Sequence, residues 1–454
     1  MENVLQSVKK FVFIPLAMNQ TLFYKKVADQ LKEQGIESTF ICIHERSHVE
    51  LSKEGYDSYN FYQHGNRNLN LQQMEEQFAV HDPYLIVSHE KETYWINDNQ
   101  TLFGKLSHAL TSFEEIFNKI KSKGNEFVIV QELGGFISVQ SSLFVSKKLG
   151  LENYFIEPSF FRKRFFLNKD SIAARKVNYA DLKMNEEVSK YLDQTLNKSQ
   201  IVIPTKDRLH YRGTLAKLVN VWNFKRFFEK LYDKYILGYQ EEFGYVYVHF
   251  LKHFKSVLNN IALKKYYYNL SEIKSEFYYF PLHVPADVAL TIRAPKYLDQ
   301  LTLIEYLAKS CPPNVHFVIK EHPAMRGAIP AKKITDVIDK NQNIKILSPS
   351  ENNFDVMKKS SCIFTINSKA GAEGILLKKK VICLGDSFYS GHPDVLASRE
   401  AFHNDYGIKN NKTDQINTES MFQSIWEESL PGDLYNLESD NVKEFSQSLS
   451  NYLG

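Results

Sequence analysis

The chain has 454 residues, about three times the usual single-domain size, which calls for two domains with cores of their own. Hydrophobic residues make up 43% and charged residues 24%, as in an ordinary folded protein, so disordered, collagen-like and disulfide-scaffold classes are excluded. Lys plus Arg number 56 and Asp plus Glu 53, a formal charge of +3, so whole-chain electrostatics give no reason to expect nucleic acid, and any basic partner surface must be local.

The N-terminal stretch MENVLQSVKKFVFIPLAMNQ has an apolar run of only strand size, so export is not expected. Phe11 to Ile14, Phe40 to Ile43, Tyr84 to Val87, Phe127 to Val130 and Tyr154 to Ile156 are short apolar runs that read as buried strands. Between them lie amphipathic stretches. In Leu22 to Gln34 the residues Phe23, Val27 and Leu31 share one helical face, and Gly35 is a natural stop. Strand, helix, strand at that spacing predicts parallel βαβ units. The stretch from about Asp170 to Glu276 is rich in Tyr, Phe and Lys and short of turn residues, which predicts mostly helix. The βαβ rhythm then returns, with Phe277 to Phe280, Val315 to Ile319, Ile344 to Leu347, Cys362 to Ile366 and Val381 to Leu384 as strands. The expected domains are therefore 1–170, a helical insertion at 171–275, a second α/β unit at 276–425 and a helical tail at 426–454. In such open sheets ligands sit beside the carboxyl ends of the strands, here in a central cleft between the domains.

Cys42, Cys311, Cys362 and Cys383 are far apart and mostly flanked by apolar residues, as buried free thiols of a reducing compartment would be. No stretch approaches the roughly 20 apolar residues that span a bilayer. The segment His89 to Glu92, HEKE, lacks the second histidine of a zinc protease motif. The common hydrolase elbow, triphosphatase loop and dinucleotide fingerprint are missing as well, which removes those enzyme classes.

Four stretches carry candidate chemistry. In CIFTINSKAGAEGILLKKKVICLGDSFY a strand runs into Asn367 and Ser368, and a helix opens with Ala370, Gly371 and Ala372. Its first amides would suit a phosphate, with Ser368 adding a hydroxyl and Glu373 accepting from a sugar diol. The bland alternative is that Ser368 caps the helix and Glu373 complements its dipole. In VHFVIKEHP a strand delivers Lys320, Glu321, His322 and Pro323 to a carboxyl edge, where a cation and an imidazole could neutralise a leaving phosphate; a solvated loop is the alternative. In NYFIEPSFFRKR, Glu157 reaches a strand end as general base or nucleophile, or as an ion-pair partner of Arg162; Arg162 and Arg164 are candidate substrate contacts. Glu132, beside Gly134 and Gly135, is the rival carboxylate. Finally, in FPLHVPADVAL, His283 and Asp287 fall in a connecting loop, His283 being a further candidate contact.

Taken in order, FIPLAMNQTLFYKKVADQL, FIEPSFFRKRFF, FPLHVPADVAL, KEHP and INSKAGAEGILLKKKVICLGDSFY resemble the bacterial capsule polysaccharide biosynthesis family, whose best-known members are Kdo transferases. The resemblance implies a GT-B-like glycosyltransferase: two Rossmann-like domains, the second holding a nucleotide-sugar and the first a glycan or glycolipid acceptor. It implies neither metal nor other cofactor. It places His322 near the nucleotide phosphate and Ser368 and Glu373 near the nucleotide. Family members commonly carry an acidic pair and glycine where this chain has Glu157, Pro158 and Ser159, which leaves the catalytic carboxylate and the stereochemistry open. A CMP-activated ulosonic acid is the expected donor, its carboxylate met by Lys320, Arg162 or Arg164. A UDP-sugar transferase or sugar-nucleotide epimerase, and a non-catalytic glycan-binding assembly factor, are the alternatives. The middle stretch from Arg208 to Lys265 interleaves aromatics with basic residues, which suits an anionic lipid headgroup or a long glycan, the alternative being aromatics packed on the domains with lysines solvated. The expected location is cytoplasmic, peripheral at the inner face of the bacterial inner membrane.

Overall fold

A computed structural model describes residues 10–65, 67–124, 126–179, 182–198, 221–323, 325–392, 395–397 and 415–453. The described strands are β1 (Lys10–Phe13), β2 (Ser38–Cys42), β3 (Ser58–Asn60), β4 (Phe127–Glu132), β5 (Asn153–Pro158), β6 (Arg164–Lys169), β7 (Tyr267–Tyr268), β8 (Phe277–Pro281), β9 (His316–Lys320), β10 (Ile344–Leu347), β11 (Cys362–Thr365), β12 (Lys380–Cys383), β13 (Val395–Ala397) and β14 (Leu430–Pro431). They form two seven-stranded sheets, ordered β14-β6-β5-β4-β1-β2-β3 and β13-β12-β11-β8-β9-β10-β7. The second sheet is parallel throughout; the first is parallel except where β6 pairs antiparallel with β5 and β14 with β6. Each sheet reverses direction of growth once, at β1/β4 and at β8/β11, the two switch points where an α/β sheet opens a crevice. The α/β class, with two Rossmann-like sheets, is as the sequence predicts.

Apolar runs become central strands because both faces are covered: every residue of β1 is buried, as is the Phe317 to Lys320 part of β9. The helix after β1, Met18–Glu33, buries Phe23, Tyr24, Val27, Ala28 and Leu31 on one face and ends at Gly35, whose φ of +82° favours glycine.

Several expectations need correction. Tyr84 to Val87 is no strand: Pro83–Ile86 is one helical turn, in which Pro83 presets φ and the Asp82 carbonyl accepts from the Leu85 and Ile86 amides. A four-residue apolar run has no period to distinguish the two states. The short strands β3, β6, β7, β13 and β14 are not anticipated either. Strand β6 hides in the basic cluster, which turns back on β5 through Lys163 at φ +59°. Cys311 is only half-buried, unlike the other three thiols.

The middle stretch is helical over Glu186–Lys198, Val221–Tyr235 and Val246–Leu263, after which β7 joins the edge of the second sheet. Arg208 and the rest of 199–220 lie outside the described residues, as do the side chains of Trp222 and Phe224. Between the last two helices, Glu242 is buried in the first domain, accepting from Lys105 Nζ (2.5 Å) and Ser138 Oγ (2.6 Å). The Gln415–Glu427 helix packs Met421, Phe422 and Ile425 with the second sheet's core. The Ser439–Leu453 helix crosses to the first domain, where Phe445 stacks on Phe165 (ring centroids 4.4 Å) and meets Phe23 edge-on (5.0 Å). Among the described residues, no helix is long and apolar enough to cross a membrane.

Candidate functional site: a cleft at the second switch point

At the carboxyl ends of β8, β9 and β11 the sheet's switch point opens into a cavity of about 500 Å³, roofed by the end of β5. Its volume falls in the range of small-molecule sites. Seven of the residues singled out from sequence line it together: Glu157, His283, Lys320, His322, Asn367, Ser368 and Glu373. They come from loops, strand ends and a short helix up to 216 residues apart in the chain, and the tertiary fold brings them together.

Lys320 closes β9 and is 2% exposed; burial, and then the Arg326 charge, lower its pKa to about 8, against the pull of Glu351, Glu321 and Glu373. Glu321 next to it is occupied, accepting from Tyr267 Oη (2.7 Å) and the Gly327 amide (2.8 Å), so it shapes the loop that presents His322. Glu373, in the short Ala370–Leu376 helix, is 5% exposed, and burial raises its pKa to about 7 against Lys369, Asn353 and Lys320. Asn353 in turn accepts from Tyr279 Oη (2.6 Å), which fixes its amide. A carboxyl near 7 and an amine near 8 in one cavity are groups whose charge a ligand can reset.

His283 is buried, its backbone held by both ends of the Gln300 amide (2.7 and 3.1 Å). Its Nε2 accepts from the Asn367 amide (3.3 Å), which fixes the neutral tautomer with the proton on Nδ1. Burial, with His322 nearby, lowers its pKa to about 3, so it stays uncharged. The residue expected to contact substrate is therefore a neutral ring that holds the loop of Asn367.

The phosphate cradle is not built as the sequence predicts. Past Ile366 the amides are already engaged: Asn367 with His283, Ser368 with Thr365 Oγ1 (3.1 Å), Ala370 with Ser368 Oγ (3.0 Å) and Gly371 with the Ser368 carbonyl (3.0 Å). Ser368 thus acts locally as a cap. Gly371 does not line the cavity; a Cβ there would lie 2.3 Å from Tyr389 Oη, so its smallness serves packing. What remains for an anion is side chains: Lys320, His322 and Lys369, the last reaching the Ser159 carbonyl of the first domain (2.8 Å).

Glu157 forms an ion pair, but with Arg293 rather than Arg162. The pair is bidentate (2.7 and 2.9 Å), and Asn168 donates a third bond (3.1 Å). Burial raises the carboxyl's pKa, yet Arg293 outweighs it and the net result lies below the usual range. A carboxylate so held is a poor proton acceptor. Arg293 also donates to the carbonyls of Ile172 (2.9 Å) and Ala173 (3.1 Å), fastening the two domains across the cavity. It is the main residue that sequence reading passes over.

Three expected contacts lie elsewhere. Arg162 is exposed at the turn after β5 and does not line the cavity. Arg164 is spent on the C-terminal segment, donating to Ser429 Oγ (2.8 Å) and the Trp426 and Ser429 carbonyls, with its guanidinium 4.0 Å from the Trp426 ring centre. Glu132 sits at the first sheet's switch point, accepting from Gln20 Nε2 (2.8 Å) and Tyr435 Oη.

FixF of Sinorhizobium fredii (strain NBRC 101917 / NGR234) is 31% identical over 116 residues, 25% of this chain and only 27% of FixF. Among solved structures, the Thermosulfurimonas dismutans KpsC beta Kdo 2,7 transferase is 11% identical, covering 98% of this chain and 100% of that one at a TM-score of 0.39. The UDP-GlcNAc 2-epimerase from Neisseria meningitidis is 12% identical over 98% and 97%, at a TM-score of 0.25. The family described as capsule polysaccharide biosynthesis protein matches residues 141–404, more than half of the chain, and that span holds all of the cavity lining. The chain belongs to the capsule polysaccharide biosynthesis protein family.

Proposed function

We propose that the chain is a glycosyltransferase of capsule or lipopolysaccharide assembly, moving a sugar from a nucleotide-activated donor to a glycan or glycolipid acceptor. The donor we favour is a CMP-activated ulosonic acid such as Kdo. The observation that carries this reading is the convergence of Lys320, His322 and Glu373 in one cavity at the second switch point, beneath a lid of first-domain residues. In glycosyl transfer the bond from the anomeric carbon to the donor phosphate breaks, and negative charge grows on that phosphate. Lys320 and His322 line that cavity, and in this reading their cationic side chains meet the charge in the role a divalent ion would otherwise fill. The donor's own carboxylate adds a second anion, for which Lys369 or Arg293 is at hand once either yields a present partner.

Glu373, poised near pH 7, is a better proton-exchanging carboxylate than Glu157, which serves as the anchor of Arg293. The acceptor enters from the side of β5 and Phe166.

Thermal denaturation with CMP, UDP and GDP tests the donor, since a ligand at a hundred times its Kd adds about 2.7 kcal/mol to the native state. CMP is expected to raise the melting temperature by several degrees and the other two not. Stabilisation by UDP alone, or release of no nucleotide from CMP-Kdo with any acceptor, would overturn the assignment.

A further inference from the structure

The Val246–Leu263 helix is folded inside out. Val246 and Leu263 are buried at its ends, but along its middle the contacts to the protein are largely polar: Asn259 donates to the Gly327 carbonyl (2.9 Å) and accepts from the Ala331 amide (3.1 Å), and Lys252 Nζ donates to the Glu92 carbonyl (2.7 Å). Gly327, at φ +71°, comes so close that a Cβ would lie 2.0 Å from the Ser256 carbonyl oxygen. The helix is thus seated backbone to backbone, and the buried Glu242 anchors the loop before it. On the other side Tyr247, Phe250, Leu251, Phe254, Leu258 and Ile261 are all exposed, Phe254 by 50% and Ile261 by 55%. Their spacing is that of one continuous helical stripe. The Val221–Tyr235 helix extends it with exposed Phe228, Tyr232 and Tyr235, joined through the ring pairs Phe227–Phe250 (6.0 Å) and Tyr235–Tyr247 (6.4 Å). A helix in water ordinarily turns such a stripe to the core, and a contiguous apolar face left outside marks a surface for something else.

Charge decides what that is. Residues 246–271 contain four lysines and no acidic side chain. Lys255, Lys264 and Lys265 are exposed. Beside the stripe stands Trp95, 44% exposed, with the Lys252 and Lys255 ammonium groups 5.0 and 4.6 Å from its ring centre. An amphipathic indole flanked by cations is the side chain that settles at a headgroup boundary. A second copy of the same face would bring lysines against lysines.

We propose that this face docks on an anionic phospholipid bilayer, the stripe entering the acyl boundary while Lys255, Lys264 and Lys265 meet lipid phosphates. The inference goes beyond the transferase reading and stands apart from it, because its test reads binding without donor or turnover. The full chain is mixed with vesicles of phosphatidylethanolamine and phosphatidylglycerol, or of phosphatidylcholine alone, and floated on a density gradient. Flotation is expected with the anionic vesicles only, falling as salt screens the lysines. Phe250→Ser/Phe254→Ser/Leu258→Ser should weaken partition by at least about tenfold, since it withdraws three apolar side chains from the acyl boundary. Lys264→Glu/Lys265→Glu should remove the preference for anionic lipid; both variants change exposed side chains, and an unaltered melting temperature checks their fold. Flotation with neither vesicle, flotation with both alike, or a wild-type dimer in sedimentation that the triple variant dissociates would each overturn the proposal.

Discussion

The two sheets share a strand order around their switch points, yet one opens and the other is sealed. At β1/β4, Gln20 accepts from the Leu16 amide (2.6 Å) and donates to Glu132, and Tyr435 from the C-terminal segment donates to the same carboxylate above a buried Tyr24. The Glu132 carboxylate there is already taken by two protein donors. At β8/β11 the corresponding space holds Lys320 and Glu373, both pushed toward their neutral forms, around about 500 Å³ of room. The backbone plan makes two crevices; which one serves as a site depends on whether side chains satisfy one another or wait for a ligand.

Substitutions can break that contrast. His322→Ala should have the largest effect, lowering kcat/KM by about a thousandfold, or roughly 4 kcal/mol of transition-state stabilisation, with the melting temperature unchanged; unchanged kinetics would remove the imidazole from the chemistry. Arg293→Ala leaves Glu157 part-buried and uncompensated and frees the domains, so urea unfolding should show a loss of about 3 kcal/mol. Glu373→Gln sharpens the contrast by pH. Because the folded pKa is raised from 4.5 to about 7, the wild type is penalised as pH climbs through that window. The variant is spared this penalty, and above pH 7 should be the more stable by on the order of 2 kcal/mol; parallel stability profiles would show that Glu373 is not buried as a charge. Tyr435→Phe, in the sealed crevice, should cost only about 1 kcal/mol and leave activity intact.

Much of this was legible where a strand end carries polar residues. Lys320 and His322 follow an unbroken apolar run, and Asn367, Ser368 and Glu373 follow another, so their shared edge is visible from pattern alone. Arg293 is not, because a lone arginine in TIRAPKY has no period, and its partner Glu157 lies 136 residues earlier. The basic group Arg162 to Arg164 misleads for a related reason. Charge density in sequence looks like a binding surface, whereas the fold spends Arg164 on Trp426 and Ser429 and uses Lys163 to turn the chain. The capped amides after Ile366 show the same limit: spacing reveals a helix start but not which hydroxyl or imidazole has already taken its donors.

The return of the Ser439–Leu453 helix to the first domain bears on synthesis. Phe11, Phe13 and Phe23 are among the earliest described residues to leave the ribosome, but the cluster they belong to includes Phe445 and Leu449. The amino-terminal body therefore emerges with an open greasy flank that stays uncovered while the entire second sheet is made. Nascent chains stalled before residue 439 should be strong clients of chaperones, and those released after it should not.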